Sequence, residues 1–136
     1  MNQRLPLHVA TTLVILACGL LVGEGCGKST VKRHNLSGQV TFQGKPIPVG
    51  LIVFEPDATK GNRGPQGFAQ IFDGRYETDK FGKGAIVGAL NVEITGFPPG
   101  DGSAGSPNVP LFPPYKTSVQ ISEETTTLNF EVPARR

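Results

Sequence analysis

The sequence predicts an all-β protein: a single seven-strand Greek-key β-sandwich that follows an N-terminal export segment. Three observations predict it. From residue 36 onward, short apolar or alternating runs are broken by Gly, Pro, Asp and Asn at intervals of about ten residues, the pattern of sandwiches and barrels. No stretch in this part carries the 3.6-residue apolar period of an amphipathic helix. The chain has 18 Gly and 12 Pro but only two cysteines, Cys18 and Cys26, both ahead of that part. The folded region must therefore form its core without an internal disulfide or a cysteine metal site.

The strands can be justified in chain order. Gly38-Gln-Val-Thr-Phe42 alternates and stops at Gln43-Gly-Lys-Pro46, where Gly and Pro supply turn geometry. Leu51-Ile-Val-Phe54 is continuously apolar, a strand near the core, ended by Glu55-Pro56-Asp57. Residues 59–65, TKGNRGP, read as a polar loop. Gly67–Phe72 and Arg75–Thr78 flank Asp73-Gly74, and Asp-Gly between two strand-like runs is a strong hairpin signal. A glycine-rich turn at 81–84 precedes Ile86-Val87 and Asn91-Val-Glu-Ile-Thr95, with Val92 and Ile94 expected on one face. Residues 96–114 then form a long Gly/Pro-rich loop, of a length that marks either a binding loop or a segment without fixed structure. Residues 115–121 and 126–132 are expected as the closing pair of strands, the second with Leu128, Phe130 and Val132 inward.

The first 26 residues have a different character. MNQR carries one Arg and no acid, and a mostly apolar run from Leu5 to Val22 leads into small residues, the layout of a secretory signal. A single-pass anchor is the alternative, since that run just reaches spanning length, although Pro6, His8 and two threonines weaken it. Ile15-Leu-Ala-Cys18 resembles a bacterial lipobox, in which a small residue precedes a cysteine that is lipidated and becomes the mature N-terminus. Cys26 is the rival, placed where the chain turns polar but preceded by Gly23 where an aliphatic residue is expected. Lipidation is expected at Cys18, with Cys26 as the alternative. Residues 27–35 read as a polar tether, its Lys28, Lys32 and Arg33 solvated, and residues 36–133 as one domain.

The stretch VGEGCGKST at 22–30 looks like a phosphate-binding loop and fails on spacing. Counting back from Gly27-Lys28-Ser29, the position that requires Gly is Val22, and neither flank has the strand–loop–helix context. No nucleotide is expected. The net charge of +2 is nearly neutral, without a basic stripe interleaved with aromatics, so no nucleic acid is expected either.

The string LSGQVTFQGKPIPVGLIVFEP, followed by AQIFDGRYET and GKGAIVGALNVEITG, resembles the transthyretin-like (prealbumin-like) or carboxypeptidase-regulatory-like β-sandwich family. It is most similar to the small exported lipoproteins of that type in planctomycete-like bacteria. The resemblance covers roughly residues 36–132 and implies a sandwich used as an accessory or surface module. Fold does not assign chemistry. One enzyme of that fold, the hydroxyisourate hydrolase, ends in Tyr-Arg-Gly-Ser and uses histidines; Tyr115-Lys-Thr-Ser118 echoes it faintly. Here the tetrapeptide is internal, Lys116 replaces Arg, and His34 is the only histidine after export, so a general base with an orienting partner is missing.

No other constellation points to catalysis. Asp73 and Asp101 are explained by turns, no stretch has the spacing of a calcium loop, and the serines lack a base to activate them. No catalytic residue, cofactor or metal is expected. Phe97, Phe112 and Tyr115, at or near the ends of the long loop, are the candidates for ligand contact. The reading is a non-catalytic envelope lipoprotein, exported and tethered to membrane lipid through its modified cysteine, facing the periplasm or the cell surface, whose sandwich engages an envelope protein or polysaccharide. A carbohydrate-binding module is the alternative, and a small hydrolase of the hydroxyisourate type the remoter one.

Overall fold

The computed structural model describes residues 31–100 and 109–134. They form nine strand segments: β1 (Ser37–Phe42), β2 (Lys45–Pro46), β3 (Val49–Pro56), β4 (Gly67–Phe72), β5 (Arg75–Glu77), β6 (Gly82–Lys83), β7 (Gly88–Phe97), β8 (Tyr115–Ile121) and β9 (Phe130–Val132). A three-residue 3-10 turn at Ala58–Lys60 interrupts the expected polar loop, capped by the Asp57 carboxylate, which accepts from the Thr59 N–H at 3.0 Å. The chain here is all-β.

The strands make one curled sheet in the order β2-β1-β5-β4-β3-β7-β8, with β6 beside β4 and β9 beside β1. All pairings are antiparallel except β1 with β9. Strand β1 produces the curl. Its first half, Ser37 to Gln39, pairs with β5, and its second half, Val40 to Phe42, pairs with β9, joined by β2 at Thr41 and Phe42.

The Asp73-Gly74 hairpin forms as its sequence requires. Asp73 has φ 47° and Gly74 φ 73°, the two left-handed residues of a type I′ turn, and Phe72 pairs with Arg75 across it. Gln43-Gly44 makes the same turn between β1 and β2 with φ 53° and 73°. In β7, Val92 and Ile94 face the core together, as alternation predicts.

Two expectations need correction. The segments 115–121 and 126–132 are not partners of each other: β8 pairs with β7, and β9 runs parallel to β1. Ile86 and Val87, read with Asn91–Thr95 as continuing the sheet, fall just before β7 and outside any strand, although Ile86 is buried. The tether also ends earlier than the sequence implies. Arg33 donates to the carbonyls of Gln66 (2.9 Å) and Gly84 (2.6 Å), and His34 exchanges backbone hydrogen bonds with Ala85. These bonds attach residues 33 and 34 to the body before Leu36.

The core lies on the concave side of the curl. Phe54, Tyr76 and Phe130 pack with ring centroids 5.9 to 6.4 Å apart, surrounded by Leu36, Val40, Ile52, Ile71, Leu90 and Ile94. Burial of the Tyr76 phenol raises its pKa, and its hydroxyl donates to the Leu128 carbonyl at 2.9 Å. The ring is thereby buried with its one polar atom satisfied. Strand β3 explains its continuous apolar run by using both faces: Ile52 and Phe54 point into the core, while Val49 and Leu51 stay partly exposed on the outer face.

Candidate functional site

One end of the curl carries an open groove of about 650 Å³ lined by Phe42, Leu111, Phe112, Tyr115, Val132 and flanking prolines. It is built by residues far apart in sequence. Phe42 is the last residue of β1 before its turn, Val132 is the last of β9, and Tyr115 is the first of β8. Register brings Phe42 and Val132 side by side in the parallel β1–β9 ladder.

Phe112 forms the floor. It is buried and packs on Phe42 with ring centroids 4.8 Å apart at 45°. Its seat depends on Gly96, because a Cβ there would come within 2.9 Å of the Phe112 ring and 2.8 Å of Ile47. The Leu111 N–H donates to the Gly96 carbonyl at 2.8 Å, which returns the chain to the sheet just before the floor residue. Pro113 and Pro114 then form part of the wall and lead into β8. Proline fixes φ, so this wall is preorganised.

The lip of the groove is held by a carboxylate. Glu131 accepts from the Thr41 hydroxyl and from the Gly44 N–H (2.9 Å), clamping the β1–β2 turn to β9. Those two hydrogen bonds, the Thr41 hydroxyl first, hold the Glu131 carboxyl below its ordinary pKa.

A second, smaller groove of about 500 Å³ lies on the outer face of β3, β7 and β8, lined by Val53, Glu55, Gln66, Asn91, Glu93, Lys116 and Ser118 among others. Lys116 meets Glu93 across the β7–β8 ladder at 3.1 Å, and Ser118 donates to the Asn91 side-chain oxygen at 3.1 Å. Lys116 lines both grooves.

The structure joins two of the three predicted contact residues and separates the third. Phe112 and Tyr115 share the aromatic groove. Phe97 does not line it, because it follows the inward-facing Gly96 and alternation turns it to the outer face. Phe42 and Val132 were not anticipated, since only the parallel β1–β9 pairing makes them neighbours. The tetrapeptide at 115–118 is divided between the two faces of β8: Tyr115 and Thr117 share the inner face with Ile94 and Val92, while Lys116 and Ser118 pair with Glu93 and Asn91 on the outer face. Cys18 and Cys26 lie outside the described residues. Among the described residues, no group of three or more His, Cys, Asp or Glu could hold a metal ion, and no helix is long and apolar enough to cross a membrane.

Comparison with known proteins adds no family. No family model matches the chain, and no curated protein does. Among solved structures, a 9R-lipoxygenase from Cyanothece PCC8801 aligns at 15% identity over 90% of this chain and 20% of its own, with a TM-score of 0.35. The chain thus spans a fifth of that protein, and a similarity of this degree carries no argument about fold or activity.

Proposed function

We propose that this protein is a non-catalytic binding protein of the cell envelope, exported and tethered through lipid on Cys18 (or Cys26), with a transthyretin-like Greek-key sandwich as its binding body. The observation that carries the binding reading is the aromatic–proline groove: Phe42, Phe112 and Tyr115 converge with Pro113 and Pro114 on one open, preorganised cleft. A cleft that is mainly apolar, with few polar groups, suits retention of a ligand better than its chemical conversion. The Greek-key reading is supported by strand order, since β3, β4 and β5 are consecutive neighbours in the sheet and β7 returns to lie beside β3. The ligand classes that fit are envelope polymers presenting flat apolar faces, polysaccharide above all, because sugar rings stack on aromatic rings.

The test is retention of the purified protein on immobilised envelope polysaccharide, comparing wild type with Tyr115→Ala. Retention that the substitution abolishes supports the reading. Equal retention of both proteins, or none of either, removes polysaccharide from this groove. The tether has its own test in the intact mass of the mature protein from a membrane fraction, where an acylated N-terminal cysteine is expected and an unmodified N-terminus would sink it.

A further inference from the structure

The outer face of the sheet carries an apolar patch left open to solvent. Register assembles it: Phe97 of β7, Val49 of β3 and Phe72 of β4 lie in one row across three strands, and Leu51 follows Val49 on the same face. Phe81 extends the row, packing edge-on against Phe72 with ring centroids 5.5 Å apart. Val49, Leu51, Phe72 and Phe81 are 36 to 53% exposed. The core does not call for these side chains, because Ile52, Phe54, Ala69, Ile71, Val92 and Ile94 supply the inner face of the same three strands. Single exposed apolar residues need no explanation, but a contiguous row rimmed by polar groups marks a contact surface.

The place where the chain joins this body selects what covers the patch. Arg33 donates to the carbonyls of Gln66 (2.9 Å) and Gly84 (2.6 Å), and His34 pairs with Ala85. The segment that carries both cysteines therefore meets the body just past β6, whose Lys83 lies opposite Phe68 of β4. Cys26 is five residues ahead of Val31 and Cys18 thirteen, so a lipid on either is at most about 18 or 45 Å of extended chain from Val31. Along β4, Phe68 to Phe72 is a further four residues, about 13 Å. A bilayer holding that lipid is thus within reach of the patch. So short a tether gives the face a high effective concentration at the bilayer, and a patch too small to bind by itself then suffices.

The rim suits lipid headgroups. Arg75 lies opposite Phe72 and Lys83 opposite Phe68, both on this face, and neither stands in an ion pair among the described residues. Such side chains can lay their stems along apolar surface and offer their charge to a phosphate. The same-face carboxylates Glu77 and Glu93 are already engaged by Lys80 and Lys116. Asp73 and Glu55 lie at opposite ends of the face, in the turn after Phe72 and beyond Val53.

We propose that this outer face is a membrane-contact surface, with Val49, Leu51, Phe72, Phe81 and Phe97 set into the headgroup region of the bilayer that holds the lipid. The proposal rests on the lipid tether put forward above and adds an orientation to it.

The sequence has no tryptophan, so one introduced indole reports one position. The full chain, purified from a membrane fraction, is reconstituted in phosphatidylcholine–phosphatidylglycerol vesicles with or without brominated acyl chains, which quench indole on contact. Phe72→Trp should lose about twofold or more of its emission to the brominated lipid, since an interfacial apolar face enters roughly 5–10 Å. Thr127→Trp should lose none: Thr127 is exposed beside Leu128, whose carbonyl meets the Tyr76 hydroxyl across the core from this face. Adding Leu51→Ser and Phe81→Ser to Phe72→Trp should remove most of the quenching while the protein still floats with the vesicles. Should Phe72→Trp fail to fold, Phe81→Trp takes its place, with Val49→Ser and Leu51→Ser as the added changes. An acylated protein that floats with its Phe72→Trp indole unquenched overturns the proposal and leaves the tether standing. Quenching that the serine substitutions do not reduce overturns it too, as proximity through the tether alone. An unmodified N-terminus with neither flotation nor quenching removes the tether and the contact together. A dimer in detergent that Leu51→Ser with Phe81→Ser dissociates, with no quenching in vesicles, would give the face to a second copy instead.

Discussion

The two sides of the curled sheet are built on opposite principles. On one side, β1 is enclosed along its length: β5 flanks its first half, β9 and β2 its second, and the segment leading into β9 closes on it through bonds from Ser37 to Thr126 and from Leu128 to Ser37. On the other, β8 rests among the described residues on one neighbour and alternates between half-buried and exposed side chains, reaching full burial only at Ile121. The first side satisfies its backbone within the chain and buries Val40, Tyr76 and Phe130. The second keeps backbone capacity in reserve beside two grooves. Buried packing is concentrated where the sheet closes, while the aromatic groove draws on both sides, Phe42 and Val132 from the closed one and Tyr115 from the open one.

That contrast can be attacked on the closed side first, where effects should be largest. Phe54→Ala removes a ring with no exposure that packs on both Tyr76 and Phe130, and should cost about 3 to 5 kcal/mol in urea unfolding. Gly38→Ala comes next at about 1 to 3 kcal/mol, because the added Cβ runs into the Leu128 carbonyl and pushes β1 from the segment that closes on it. Tyr76→Phe leaves that same carbonyl without its phenol donor and should cost about 1 kcal/mol. If these three cost no more than changes in β8, the contrast fails.

Acid should loosen the closed side by a smaller step. Glu131 has a folded pKa below its ordinary value of 4.5, so its contribution is fully present above that value and is lost as pH falls through the folded one. Thermal melts below pH 4.5 should show wild type losing more stability than Glu131→Gln, while the two change in parallel at neutral pH. On the open side, Lys116→Ala breaks an ion pair whose side chains are 76% and 45% exposed and should cost under about 1 kcal/mol, the smallest effect of the series.

Much of the closed side was legible locally. Asp73-Gly74 declares a left-handed pair from two residues alone, and the alternation of Val92 and Ile94 declares a buried face. What escaped was non-local. The parallel pairing of β9 with β1 joins residues about ninety positions apart, as in Thr41 with Glu131, and no local pattern distinguishes it from a closing hairpin with β8. The site inherited that gap. Tyr115 and Phe112 could be picked out as aromatics at the end of a Gly/Pro-rich stretch, but Phe42 and Val132 enter the groove only through the β1–β9 register. Phe97 misled for a reason of parity: Gly96 is the inward position, kept free of a side chain so that Phe112 can fill it, and its neighbour must face outward. An isolated glycine in a strand, which marks close approach by another group, was the available signal.

Amide hydrogen exchange of the ligand-free protein, resolved residue by residue, tests the contrast between the two sides most directly. The Asp57 N–H bond to the Ala89 carbonyl directs the odd-numbered residues of β7 at β3 and the even-numbered ones at β8, which leaves Lys116, Ser118 and Gln120 with backbone groups pointing away from the sheet. The account predicts alternation along β8, with slow exchange at Thr117, Val119 and Ile121 and fast exchange at Lys116, Ser118 and Gln120, against slow exchange throughout Gly38 to Thr41. Equal protection at Lys116, Ser118 and Gln120 would contradict it, because the edge would then already be closed.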